Sequence, residues 1–117
     1  MKRTTRLLAF CLWLLPTTAR ADVAQLLRDY DSPQPSRGLA MTFVIGIAEG
    51  FETVNDELKQ AGRTPLYCSP VKLKGAQLMD ILRKWTEANR VKSPHIETAP
   101  PGAALLYALT DAFPCSK

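Results

Sequence analysis

A single histidine, His95, is all the imidazole the 117 residues contain. It sits in the proline-flanked stretch "KSPHIETAPP", with no plausible set of metal partners at ligand spacing. A zinc site needs three or four such ligands, so no metal or other cofactor is expected. Glycine is sparse, and none of the six falls in a GxGxxG or a phosphate-cradling loop. No stretch alternates β-branched and polar residues as a half-buried strand would. The apolar runs stop near ten residues, short of the ~20 that cross a bilayer.

Excess charge of one sign is also missing once the N-terminus is set aside. "MKRTTRLLAFCLWLLPTTARAD" opens with Lys2, Arg3 and Arg6, continues with the apolar run Leu7–Leu15, and breaks at Pro16. Ala19-Arg20-Ala21 is a small-x-small cleavage site. Basic n-region, apolar h-region and cleavage site are the three parts of a secretory signal peptide. A core helix would not gather its charges at one end. Lipidation at Cys11 fits poorly, because the bulky Phe10 precedes it. The expected organisation is therefore a signal peptide over 1–21 and one helical domain over 22–117, exported to the periplasm and with no stable membrane insertion after cleavage. Of the 15 Lys and Arg, four precede Asp22, which leaves 11 against 11 acidic residues. No basic surface is left to support nucleic-acid binding.

Cysteine is scarce too. Past Cys11 the chain holds only Cys68 and Cys115. In an oxidising compartment two cysteines pair in one way, against the alternative of two free buried thiols. Closing that loop is worth about 4 kcal/mol in the chain-entropy view.

What the chain does have is helical periodicity. "DVAQLLRDY" places Val23, Leu26, Leu27 and Tyr30 on one face, behind Asp22 as N-cap. After "DSPQPSRG", a long helix is predicted from about Gly38 to Ala61, with Phe43, Ile47, Phe51, Val54 and Leu58 as its stripe and Gly62 as C-cap. Its first half, "LAMTFVIGIA", is apolar nearly all round, the mark of a central helix. Gly46 and Gly50, one turn apart, are expected to admit a close helix neighbour. A third helix, roughly Lys74 to Val91, buries Leu78, Ile81, Leu82, Trp85 and Ala88, with Asp80–Lys84 and Arg83–Glu87 as outward i,i+4 pairs. The fourth starts at Pro100-Pro101, buries Leu105, Leu106, Leu109, Ala112 and Phe113, and stops at Pro114. The fold class is all-α: a compact four-helix domain whose Cys68–Cys115 disulfide ties the linker between helices two and three to the C-terminus.

Little catalytic material remains. A Cys68–His95 nucleophile pair requires a free Cys68, which the disulfide removes. Glu49 and Glu52 could do acid–base work but read as a solvated helix edge. The chain is expected not to be an enzyme and to work by binding.

The motif order adds to this. "GLAMTFVIGIAEGF", "YCSPVKLKGAQLMDILRKW" and "PPGAALLYALTDAFPCSK" together resemble the Rap/Tai family of type VI secretion immunity proteins. The shared features are Gly46 to Gly50, Cys68 with Pro70, Gln77-Leu78, Trp85, and the ending Ala108 to Cys115. The resemblance covers about Leu26 to Cys115. The family often carries a second cysteine pair, whose positions fall here at Tyr30 and Ala40. It implies a periplasmic protein that binds and inhibits a cognate peptidoglycan amidase effector delivered by neighbouring cells, which takes a well-fitting surface rather than chemistry. The surface picked out for that partner is the loop Val91–Ala99, with Lys92, His95, Ile96 and Glu97 between prolines that lower its ordering cost. A second class stays open: a small periplasmic structural or chaperone-like helical protein without a toxin partner. A homodimer would form on whatever part of the helix-two face its neighbours leave uncovered.

Overall fold

The computed structural model describes residues 22–116. The signal peptide read at 1–21 lies outside the described residues, as does Lys117. Among the described residues, four α-helices and one short 3-10 turn make up the regular structure: α1 Val23–Asp31, α2 Ser36–Gln60, α3 Gly75–Asn89, the 3-10 turn Ile96–Thr98, and α4 Pro101–Ala112. The all-α, four-helix expectation holds, and α2 packs against all three other helices.

Local chemistry sets the ends. The Asp22 carboxylate accepts the Gln25 N–H at 2.8 Å and caps α1. At the far end of α2, Gly62 takes φ 67°. The Arg63 N–H then donates to the Leu58 carbonyl at 2.8 Å and the Gly62 N–H to Lys59 at 3.0 Å. This paired closure needs a left-handed residue, which glycine supplies without a Cβ clash. Pro101 opens α4 at its first position, where no N–H is needed. α2 begins two residues earlier than the predicted Gly38, and α3 ends at Asn89, short of Val91.

The core is built from Val23 and Leu26 of α1, Val44 and its small neighbours on α2, Leu78, Met79 and Leu82 of α3, and Leu105 and Leu109 of α4. On α2 the buried side chains are Ala40, Val44, Ala48 and Asn55. The predicted stripe is therefore turned to one side: Phe43 and Val54 are 46% and 45% exposed, and only Ile47, Phe51 and Leu58 are partly covered. Alanine and valine let the flanking helices approach the α2 backbone closely, so the small residues face inward and the large ones are displaced. Ala88 and Ala112 are likewise exposed rather than buried. Thr86 takes an inward place on α3, its hydroxyl donating to the Leu82 carbonyl at 2.8 Å.

Gly46 and Gly50 do not mediate packing within the protomer. A Cβ built on either meets no atom within 4 Å. The close approach occurs at Gly75 instead, where a Cβ would lie 3.0 Å from Ile45 Cδ1 and 3.1 Å from Met41 Cε. Gly75→Val is expected to cost about 2 kcal/mol, in the range of overpacking substitutions; urea unfolding of the purified protein checks it, and a loss under ~0.5 kcal/mol would contradict the close fit.

Lys84 and Asp80 pair at 2.9 Å as expected. Arg83 does not pair with Glu87. Its guanidinium reaches across to α1 and forks onto both carboxylate oxygens of Asp31, at 2.5 and 3.1 Å. A bidentate carboxylate is a better partner than a neighbour on the same exposed helix face. At the α1–α2 corner, the Arg37 guanidinium stacks over the Tyr30 ring, 4.7 Å from its centre.

Candidate functional site

Two irregular regions carry the candidate functional residues: the linker between α2 and α3, and the loop between α3 and α4.

The linker from Ala61 to Lys74 has no regular structure, yet it is fixed at several points. Asn55, buried at 2% exposure on the inner face of α2, accepts the Leu66 N–H at 2.7 Å and donates to the Tyr67 carbonyl at 3.3 Å. The Tyr67 hydroxyl donates to Glu52 Oε1 at 2.5 Å. Burial, the hydrogen bond to Glu52 and the Glu52 charge together push the phenol upward from its ordinary value, so Tyr67 stays a protonated donor. Cys68 is bonded to Cys115, with the two Cα atoms 5.0 Å apart, and the Cys68 N–H donates to the Phe113 carbonyl at 2.8 Å. The staple therefore ties linker and C-terminus together as expected.

This arrangement decides two catalytic possibilities. Cys68 is a disulfide sulfur and not a nucleophilic thiol partner for His95. Glu52 is occupied as the acceptor for Tyr67, while Glu49 is exposed. A cleft of ≈ 370 Å³ runs between α2 and the linker, lined by Glu52, Asp56, Lys59, Ser69 and Lys72 among others. Among the described residues no three His, Cys, Asp or Glu side chains gather to hold a metal ion. No helix among them is long and apolar enough to cross a membrane.

The loop between α3 and α4 is short of apolar anchors but internally bonded. The Ser93 N–H donates to the Asn89 carbonyl, Ile96 to Ser93, Thr98 to His95 and Ala99 to Ile96, at 2.9–3.2 Å. Its end is pinned to α1 where the Val23 N–H donates to the Ala99 carbonyl at 3.2 Å. Of the four residues singled out, Lys92 and His95 stand exposed on the tip. Ile96 and Glu97 are half-buried, and Glu97 pairs with Arg90 at 2.7 Å. Beside them Val91 is 93% exposed, the most open large apolar side chain described.

Sequence reasoning passed over Asn55 and Tyr67. Asn55 carried a signal: it lies seven residues after Ala48, on the same face as Val44, so a polar residue interrupts the apolar period where it must find partners.

These described residues define a small, disulfide-stapled helical domain with a hydrogen-bonded loop held out at one end. The sequence profile of the Rap1a immunity proteins matches residues 3–115, and the chain belongs to that family. No curated protein and no solved structure matches it.

Proposed function

We propose that this protein is a periplasmic immunity protein of a type VI secretion system, exported by its N-terminal signal peptide, that binds a peptidoglycan amidase effector and occludes its catalytic cleft. The observation that carries the reading is the family match over nearly the whole chain. The amidase as target follows from the Rap/Tai resemblance of the motifs ending at Phe113-Pro114-Cys115. The contact surface is the α3–α4 loop. Support for that choice is physical: the loop is held by its own hydrogen bonds, and it presents Val91, Lys92 and His95 to solvent. A pre-ordered loop loses little conformational freedom on entering a cleft. Ile96 and Glu97 act from beneath, fixing the shape of the tip. No step requires chemistry by this chain.

The test exchanges residues 91–95 for Gly and Ser while leaving Ile96 to Ala99 to hold α1. In cells exposed to the amidase effector, the exported wild type is expected to protect and the loop variant to fail. The affinity loss expected of a central anchor is about 30-fold or more, or ~2 kcal/mol, with the melting temperature unchanged. Full protection by a folded loop variant would show the loop to be a plain connector.

A further inference from the structure

The walls of the ≈ 370 Å³ cleft between α2 and the linker are set before any ligand arrives. One wall is a helix face, on which Glu52, Asp56 and Lys59 follow one another by four and three residues. The other is the linker, which Asn55 holds through Leu66 and Tyr67 and the Cys68–Cys115 bridge holds near its middle. Past the bridge, the Ser69 hydroxyl donates to the Val71 carbonyl at 2.6 Å and closes a tight bend at Pro70 and Val71. A cleft with fixed walls loses little freedom when it is filled.

Charge in the cleft is balanced and largely unpaired. Glu52 and Asp56 stand against Lys59 and Lys72. Among the described residues Glu52 and Lys72 have no ion-pair partner, and Asp56 meets Lys59 only at 3.8 Å. Glu52 gives Oε1 to the Tyr67 hydroxyl; its second oxygen meets no donor among the described residues and is not buried. Two carboxylates one helical turn apart repel each other, and an ammonium set between them removes that cost. Lys72, on the other wall, is left for an anion. With the two signs balanced, a polyanion or polycation gains on one pair of side chains what it loses on the other. A molecule carrying one ammonium and one carboxylate gains on both.

Two further features single out a peptide among such zwitterions. The Ser69 and Lys72 N–H groups find no backbone acceptor among the described residues. The linker therefore offers main-chain donors beside the cleft, the means by which extended peptides are held. Adjoining the cleft, and sharing Glu52, Tyr67 and Lys72 with it, is a hollow of ≈ 30 Å³ walled by Ile45, Ala48, Leu73 and Leu78. It has room for about one methyl group and excludes a larger side chain.

We infer that this cleft binds a short peptide with free amino and carboxyl ends, its ammonium between Glu52 and Asp56, its carboxylate on Lys72, and an alanine-sized side chain in the hollow. The α3–α4 loop lines neither cavity, so the inference is independent of the amidase reading.

The test is an NMR titration of the oxidised, isotope-labelled protein with trialanine. The amides of Glu52 to Lys59 and of Leu66 to Leu73 are expected to shift and saturate, half-way at ~1 mM or below. Trialanine acetylated at its amino end, or amidated at its carboxyl end, should bind about 5-fold more weakly, and trileucine should not saturate. Glu52→Gln keeps an acceptor for Tyr67. It should weaken trialanine by the same factor and leave the already weak acetylated peptide unchanged, as expected when both changes remove one interaction. Lys72→Gln should behave in the same way against the amidated peptide. No saturable shift in the cleft up to the solubility of trialanine overturns the inference. Shifts there that ignore both end groups and both substitutions, or trileucine binding as well as trialanine, overturn it equally.

Discussion

Replacing both cysteines, Cys68→Ala with Cys115→Ala, is expected to lower stability by about 4 kcal/mol, the chain-entropy value for a loop of this length. The bridge spans 47 positions, almost the whole second half of the domain. In its absence the C-terminal tail is still held by the Cys68 N–H on the Phe113 carbonyl and by the Thr110 hydroxyl, which faces the Leu66 carbonyl at 3.4 Å. The native contacts therefore survive, and the loss falls mainly on the unfolded side, which gains freedom. For a domain of this size the melting temperature should drop by about 15–30 °C. Calorimetry of the oxidised protein, the reduced protein and the double variant checks this. The reduced protein and the variant should melt together, well below the oxidised form. A drop under ~5 °C would mean that the unfolded chain is already constrained and the staple adds little.

The second large effect is expected at Asn55. Asn55→Leu keeps the branched heavy-atom shape and removes both polar atoms, leaving the Leu66 N–H and the Tyr67 carbonyl without their partner. An unpaired buried group costs about 1–3 kcal/mol, and two are affected, so a loss of about 3 kcal/mol is expected. The damage should be local before it is global. The Leu66 amide should lose protection from hydrogen exchange, and with it the anchoring of Tyr67 on Glu52. Asn55→Asp, which keeps the acceptor for Leu66 but loses the donor to Tyr67, should fall between wild type and Asn55→Leu. Denaturant unfolding gives the energies and exchange of the Leu66 amide gives the location. An Asn55→Leu protein as stable as wild type would show that the linker is held by the disulfide and Tyr67 alone.

Much of this architecture was legible from local rules. Asp22 and Gly62 marked helix ends because capping chemistry is set by one or two residues. The prolines at 100 and 101 marked a helix start for the same reason. The staple was legible because only two cysteines lie past residue 21. What failed was the choice of inward face on α2. "LAMTFVIGIA" is apolar on every side, so periodicity alone cannot say which side its neighbours cover. The usual guide, that the largest apolar residues face in, pointed to Phe43 and Val54. Close packing placed Ala40, Val44 and Ala48 inside instead, and left the large residues and both glycines outward. The Arg83–Asp31 pair was illegible for a different reason: its partners are 52 positions apart, and only the α1–α3 packing brings them together. In the loop, the residue types were visible, but the turn that points Lys92 and His95 outward and tucks Glu97 against Arg90 depends on hydrogen bonds among non-neighbours.

Binding of one amidase is the proposed action of this domain. The most direct measurement recovers the tagged protein from the periplasm of its own cells during type VI attack, identifies what accompanies it, and assays that partner on peptidoglycan. The expected result is a single stoichiometric partner with a Cys-His peptidase sequence, whose cleavage of peptidoglycan stops as this protein is added to equivalence. No partner, or a broad mixture of unrelated envelope proteins with no amidase inhibited, would contradict it and assign the domain to structural or chaperone work.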